Sequence, residues 1–134
     1  MADTTTIRAR ERVLTAQQRH ERLSLEIKLV LDGTVPFSRS SDLLVPARPG
    51  VYILHDLRGA LYVGRSISLA KRFTQHEDRP ANPLIAKARG SAVGPLLFSW
   101  IVLEDPKRRA AVEAELIQAL DPPCNRCVPK LPTS

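Results

Sequence analysis

Residues 50–64 read GVYILHDLRGALYVG, and the fold prediction starts from this stretch. Two apolar runs, residues 51–54 and residues 60–63, flank a short polar segment. Runs rich in β-branched and aromatic residues that a short polar loop joins are typical of a β-hairpin. We therefore expect two paired strands, with Tyr52 on the first and Tyr62 on the second.

The sequence after the hairpin predicts three helices and one further strand. A helix that Ser66 or Ser68 caps runs to about His76. The later elements are a short helix over residues 84–89, a buried strand over residues 95–103 and a last helix over residues 106–120. From Gly50 onward the order is β-β-α-α-β-α.

A further helix is predicted before the hairpin, over residues 15–31, and Gly33 would end it. Residues 32–49 contain three prolines and predict a connector with one extended piece at residues 42–45. The predicted fold class is α+β: a small three-stranded, mostly antiparallel sheet flanked by helices, with an extra N-terminal helix.

The predicted organisation has three parts. Residues 1–48 form the N-terminal helical extension and connector, residues 49–127 form the main domain, and residues 128–134 form a loose C-terminal tail. A chain of 134 residues, 43% apolar and 25% charged, is sufficient for one compact core.

The composition excludes several classes of protein. No apolar run approaches the roughly 18 residues that span a membrane, and the first residues lack the apolar core of a signal peptide. Two cysteines, Cys124 and Cys127, are too few and too close together for a secreted disulfide framework, and a lone CxxC supplies half of a zinc site. We expect a cytoplasmic protein with no membrane partner and two ordinary thiols.

One carboxylate lies where the last helix calls for an apolar residue. Leu116, Ile117 and Leu120 form the buried stripe of this helix. At 100° per residue, Glu113 lies in the middle of that stripe, whereas Glu115 points to the opposite side. A carboxylate that faces the core needs a cation, hydrogen bonds or a metal. A buried Glu–Arg pair, a metal ligand and an acid/base group all stay open on the helical wheel alone.

Arg72 and His76 lie four residues apart on one flank of the helix after the hairpin. Each residue alone is commonly structural, because an arginine stem packs on apolar surface and an isolated histidine is usually inert. The two side chains project together from the border of the core, so they are a candidate functional pair.

These polar residues belong to one pattern: residues 50–125 resemble the GIY-YIG nuclease family. The two motifs that name the family occur here as GVY at residues 50–52 and YVG at residues 62–64. The intervals are also similar to those of the family's repair members: ten residues from Tyr52 to Tyr62, ten from Tyr62 to Arg72 and twelve from Glu113 to Asn125. The resemblance implies a stand-alone, single-domain member with its nuclease domain at residues 49–127.

The resemblance implies a metal-dependent endonuclease that hydrolyses DNA phosphodiesters with a single Mg²⁺ or Mn²⁺ ion. Glu113 would hold the metal, Arg72 would bind and polarise the scissile phosphate, and Asn125 would tether the site. The residue that activates the attacking water stays open between the two tyrosines and the histidine. The implied catalytic residues are Tyr52, Tyr62, Arg72, His76, Glu113 and Asn125.

The middle of the chain carries most of the net charge of +6, with seven Lys and Arg against three Asp and Glu in residues 50–90. A positive field of this kind suits a nucleic acid, either DNA or RNA. Arg65 stands where many family members carry lysine, and an arginine cannot accept a proton. The candidate nucleic-acid contacts are Arg58, Arg65, Lys71, Arg79, Lys87 and Arg89.

Two functions of other classes stay open. The first is a nucleic-acid-binding module with weak or lost catalysis, and the second is an interaction domain recruited through the N-terminal helix. No expected catalytic side chain is missing, which favours the enzyme. The strandedness of the substrate and a homodimer that adds DNA contacts also stay open.

Overall fold

The computed structural model describes residues 16–78 and 82–126. Its helices are α1 (Ala16–Ile27), α2 (Leu69–Asp78), α3 (Pro83–Gly90), α4 (Pro106–Leu120) and the short α5 (Pro123–Arg126), with a 3-10 helix at Arg39–Leu44. Its strands are β1 (Gly33–Pro36), β2 (Gly50–Asp56), β3 (Gly59–Ser66) and β4 (Leu97–Val102). The α+β class is confirmed.

The four strands form one antiparallel sheet in the order β1-β4-β2-β3. The predicted hairpin is confirmed as β2 and β3, and Tyr52 on β2 lies opposite Gly64 on β3 and Trp100 on β4. The pairing register shifts between Leu54 and His55, which is a local irregularity near the turn.

The prediction of three strands is wrong, because β1 forms within residues 32–49, where we expected a connector. Gly33 lies opposite Trp100, and a Cβ atom there would lie 2.2 Å from the indole ring, so only glycine admits the ring. The backbone N–H of Asp32 donates to the Trp100 carbonyl at 2.8 Å, and its carboxylate accepts from the backbone N–H of Val102 at 2.6 Å. Tertiary contacts thus stabilise a strand that glycine and proline disfavour locally.

Two other predictions before the hairpin are wrong. The helix α1 ends at Ile27 and not near residue 31, because Lys28 adopts a left-handed backbone conformation with φ of 57°. Residues 42–45 are not an extended piece, since the 3-10 helix extends to Leu44. After the hairpin the predicted elements are present with boundaries shifted by a few residues.

Helices cover both faces of the sheet. The first face packs against α2 and α3, and its buried residues include Tyr52, Leu54, Phe73, Ile85 and Phe98. The second face packs against α1 and α4, and its buried residues include Leu23, Val51, Ile53, Val63, Val112 and Leu116. Burial of these side chains supplies the hydrophobic stabilisation that fixes the helices on the sheet.

In the part of the chain that the structure covers, no helix is both long enough and apolar enough to cross a membrane. The division of the chain after residue 48 stays a prediction. The predicted loose tail at residues 128–134 lies outside the described residues, as does Cys127.

Candidate active site

Three ring side chains from β2, β3 and α2 meet at one point. The Tyr52 hydroxyl and Nε2 of His76 are hydrogen-bonded at 2.6 Å. The centroid of the Tyr62 ring lies 6.1 Å from that of Tyr52 and 5.8 Å from that of His76. Gly64 provides the space, because a Cβ atom there would lie 2.3 Å from the Tyr52 hydroxyl oxygen. The glycine of the second motif is therefore required by the tyrosine of the first.

Burial keeps Tyr52 and His76 uncharged at neutral pH. Tyr52 is 0% exposed, and burial raises its pKa well above the usual 10, with a further contribution from Tyr62. Burial also lowers the pKa of His76 from 6.5 to about 4, and the Arg72 guanidinium acts in the same direction. A neutral phenol and a neutral imidazole thus share the hydrogen bond.

Tyr62 is the more accessible of the two tyrosines. Burial raises its pKa, and the nearby carboxylate of Glu113 adds to that shift. Hydrogen bonding to Tyr52 and the charge of Arg72 both lower the pKa of Tyr62. Tyr62 therefore loses its proton more readily than Tyr52 once the charge of Glu113 is neutralised.

Glu113 lies on the side of α4 that packs on the sheet next to β3, as the helical wheel predicts. Its side chain is 23% exposed, and burial raises the pKa of its carboxyl group, whereas Arg65 lowers it. Nε of Arg65 lies 3.7 Å from Oε1 of Glu113, which is a loose ion pair. The carboxylate is thus partly desolvated and held by one distant cation.

Arg65 and Arg72 lie on one open groove with a volume of about 410 Å³. The groove also contains the buried Arg109 of α4, whose guanidinium donates to the backbone carbonyls of Leu103 at 2.9 Å and Glu104 at 3.2 Å. The residues that line the groove are Arg65, Ser66, Ile67, Arg72, Pro106 and Arg109. Two guanidinium groups, those of Arg65 and Arg72, are thus available along a groove that no described carboxylate lines, and this favours an anionic ligand.

Arg109 is a candidate site residue that the sequence reasoning missed. It precedes Glu113 by four residues on α4, and residues at this spacing share one face of a helix. The signal was therefore available in the sequence. It was hidden because Arg109 follows Lys107 and Arg108, and a run of cations at the start of a helix is typical of a solvated surface.

Asn125 closes the outer edge of β3. Its Oδ1 accepts from the backbone N–H of Val63 at 2.8 Å, and its Nδ2 donates to the Val63 carbonyl at 2.8 Å. Because β3 is the edge strand of the described sheet, no described strand pairs with these backbone groups, and the amide side chain takes that place. Asn125 thus fixes the backbone between Tyr62 and Gly64.

Two of the predicted nucleic-acid contacts are engaged within the protein. Arg58 forms an ion pair with Asp56 at 2.7 Å, at the turn of the hairpin. The Arg89 guanidinium lies over the ring of Phe37, 5.2 Å from its centroid, and donates to the backbone carbonyl of Glu77. A phosphate would have to share each of these cations with its present partners.

The other predicted contacts are placed as follows: Arg65 lines the groove, Lys71 and Lys87 are exposed, and Arg79 lies outside the described residues. The Cys124 thiol is buried and lies 3.6 Å from the Leu84 carbonyl oxygen. Within residues 16–78 and 82–126, no group of three or more His, Cys, Asp or Glu side chains could hold a metal ion.

Comparison with known proteins places the geometry in a family. The model of the GIY-YIG catalytic domain matches residues 48–126. UvrABC system protein C of Finegoldia magna is 32% identical over 82 residues, which is 60% of this chain. The chain spans 13% of the length of that curated relative.

Solved structures show the same likeness. The GIY-YIG N-terminal endonuclease domain of UvrC from Thermotoga maritima, bound to its catalytic magnesium ion, superposes with a TM-score of 0.55 and 26% identity, covering 65% of this chain and 93% of that one. A variant of that domain with an asparagine replaced by alanine has a TM-score of 0.54 and 26% identity, covering 64% of this chain and 91% of its own. The family match over residues 48–126 includes both motifs, Arg72, Glu113 and Asn125. The chain belongs to the GIY-YIG family.

Proposed function

We propose that this domain is a Mg²⁺-dependent endonuclease that hydrolyses phosphodiester bonds in DNA. The observation that carries the proposal is the placement of Glu113, a partly buried carboxylate near Tyr62 and 3.7 Å from the groove residue Arg65. A metal-ligating oxygen, a hydroxyl group and phosphate-binding cations thus lie together. The likeness to the UvrC domain, an endonuclease bound to magnesium, supports the proposal.

The residues around Glu113 fit a Mg²⁺ ion. Magnesium keeps several of its waters and is commonly held by one or two carboxylates, so one carboxylate with an exposed edge is a sufficient protein ligand. Burial raises the pKa of Glu113, and a bound cation would remove this destabilisation of the ionised form. When bound, the ion would stabilise the negative charge that develops on the leaving oxygen.

We assign the activation of the attacking water to Tyr62. Tyr62 is more accessible than Tyr52, and it is the tyrosine whose pKa responds to Glu113. Tyr62 would act after losing its own proton, and its phenolate oxygen would hold the water and accept a proton from it. Tyr52 and His76 are then positioning residues, because their buried hydrogen bond holds the Tyr52 hydroxyl next to Tyr62.

We assign the binding of the scissile phosphate to Arg72. This side chain lines the groove, and its charge lowers the pKa of both Tyr52 and Tyr62, so its planar guanidinium lies near the two tyrosines and can bind a phosphate there. In the reaction the water oxygen bonds to phosphorus and the bond between phosphorus and the leaving ester oxygen breaks. The proton from the water goes to the Tyr62 phenolate, and the leaving oxygen takes a proton from solvent. Arg65 contributes charge but cannot accept the proton, because arginine stays protonated.

A cleavage assay tests this function. Labelled single-stranded, duplex and branched DNA, with RNA as a comparison, would be incubated with Mg²⁺, Mn²⁺ or EDTA. We expect DNA cleavage with either metal and none with EDTA, and we expect Tyr62→Phe to lower the rate by about 100-fold or more. Cleavage that resists EDTA would contradict the proposal.

Binding without cleavage would decide between the other functions. Salt-sensitive DNA binding with no cleavage under any condition would favour the binding module. The absence of both binding and cleavage would favour an interaction domain. A cytoplasmic location stays our prediction, and localisation of the tagged full chain in cells would test it.

A further inference from the structure

An apolar side chain stands at the mouth of the arginine groove. Ile67 lies between the end of β3 and the start of α2, and it is 80% exposed. It lines the same groove as Arg65, Arg72 and Arg109. Single exposed apolar residues are common on protein surfaces, so exposure alone carries no argument. The position of Ile67 beside the guanidinium groups of Arg65 and Arg72 is the feature that suggests a ligand.

The backbone presents Ile67 in a fixed position. The Ser66 hydroxyl donates to the Ser68 carbonyl at 2.8 Å and accepts from the Ser68 backbone N–H at 3.0 Å. Leu69, the residue after Ser68, is 0% exposed and anchors the start of α2 in the core. Both neighbours of Ile67 are thus held, so little conformational entropy is lost when a ligand packs against its side chain.

The chemistry of the groove favours a nucleic acid over a protein as the ligand of Ile67. Its accessible cations are Arg65, whose side chain is 46% exposed, and Arg72, and no carboxylate of the described residues lines it. Guanidinium groups bind phosphates, and their planes also stack on bases that are not stacked in a helix. Apolar side chains that DNA-binding proteins present next to such cations pack against unstacked base steps.

We propose that Ile67 packs against an unstacked base next to the scissile phosphate, and that the domain thereby selects DNA with an unpaired nucleotide at the cut site over intact duplex. This inference rests on the proposed nuclease function and names its substrate class. In an intact duplex the base is stacked and paired, so Ile67 gains no apolar contact. The unpaired base supplies that contact without the loss of a base pair.

Cleavage kinetics test the selection. Two duplexes of the same sequence would be compared, one fully paired and one with a single unpaired nucleotide at the mapped cut site. We expect kcat/KM for the wild type to be about tenfold higher on the second duplex, as for burial of two methylene groups. Ile67→Ala should bring the ratio of kcat/KM on the two duplexes close to one, and Ile67→Leu should keep the wild-type ratio. Val30→Ala is the matched control, since Val30 is 83% exposed and does not line the groove.

A second measurement does not depend on catalysis. The unpaired base would be 2-aminopurine, and its fluorescence should change when the Glu113→Gln variant binds. The double variant, Glu113→Gln with Ile67→Ala, should bind without that change in fluorescence. An equal ratio in wild type and Ile67→Ala, or a fluorescence change that survives without Ile67, would overturn the inference. If no DNA is cleaved but the fluorescence change depends on Ile67, the nuclease proposal fails and the contact with an unstacked base stands.

Discussion

The Tyr52 hydroxyl and Nε2 of His76 share a buried hydrogen bond of 2.6 Å, although 24 residues separate them in the chain. Tyr52→Phe would leave a buried imidazole nitrogen without this partner, so we expect it to lower the free energy of unfolding by about 1–3 kcal/mol. Tyr62→Phe should cost less, because Tyr62 is more accessible to water. Urea unfolding of the three proteins measures both effects. Equal stabilities of wild type and Tyr52→Phe would contradict the described hydrogen bond.

Buried histidines should make the protein sensitive to acid. Burial lowers the pKa of His76 to about 4 and that of His55 to about 3, against 6.5 in the unfolded chain. As the pH falls below 6.5 the unfolded chain binds protons that the folded chain does not bind, so stability falls from pH 6.5 to about 4 through His76 and on to about 3 through His55. Nuclear magnetic resonance titration of the ring protons should show no midpoint near 6.5 for either residue. A midpoint near 6.5 would mean that the rings are accessible to water.

The amide of Asn125 should stabilise β3. Asn125→Ala removes two hydrogen bonds of 2.8 Å to the backbone of Val63, and we expect a loss of about 2 kcal/mol in the free energy of unfolding. The exposed Gln118 of α4 offers a control, because Gln118→Ala should change stability by less than about 0.5 kcal/mol. Hydrogen exchange should show faster exchange of the Val63 amide in Asn125→Ala. Unchanged exchange there would argue against the edge contact.

The contact of Gly33 with Trp100 should make β1 intolerant of a side chain. A Cβ atom at Gly33 would lie 2.2 Å from the indole, so Gly33→Ala should lower stability by about 1–3 kcal/mol. At Gly90 no atom of the described residues lies within 4 Å of such an atom, and Gly90→Ala should be neutral or stabilising by up to about 1 kcal/mol. Thermal unfolding of the two variants measures the difference. Similar melting temperatures would mean that β1 does not pack on Trp100 as described.

The sequence predicts the parts of the fold that local pattern determines. The hairpin follows from two apolar runs around a polar turn, and α4 follows from Pro106 and its apolar stripe. The strand β1 could not be predicted, because its sequence GTVP is locally unfavourable and its stability comes from Trp100, 67 residues away in the sequence.

The candidate site also contains features that the sequence predicts and features that depend on tertiary packing. The helical wheel predicts that Glu113 faces inward, because the spacing along one helix fixes that side. The different burial of Tyr52 and Tyr62 could not be predicted, since it depends on how α2 packs across β2 and β3. Arg109 shares a helix face with Glu113 and was predictable from that spacing, whereas Ile67 joins the groove only when the start of α4 and the loop after β3 come together.

The proposed role of Glu113 as metal ligand is tested when metal binding and DNA cleavage are measured in the same preparations. Glu113→Gln removes the proposed ligand, and Glu115→Gln is the matched control, because Glu115 is exposed on the same helix. Paramagnetic resonance of Mn²⁺ would report binding, and a labelled oligonucleotide would report cleavage. We expect wild type and Glu115→Gln to bind one ion and cleave, and Glu113→Gln to do neither while keeping the wild-type stability. Metal-dependent cleavage by Glu113→Gln at the wild-type rate would show that Glu113 does not hold the catalytic metal.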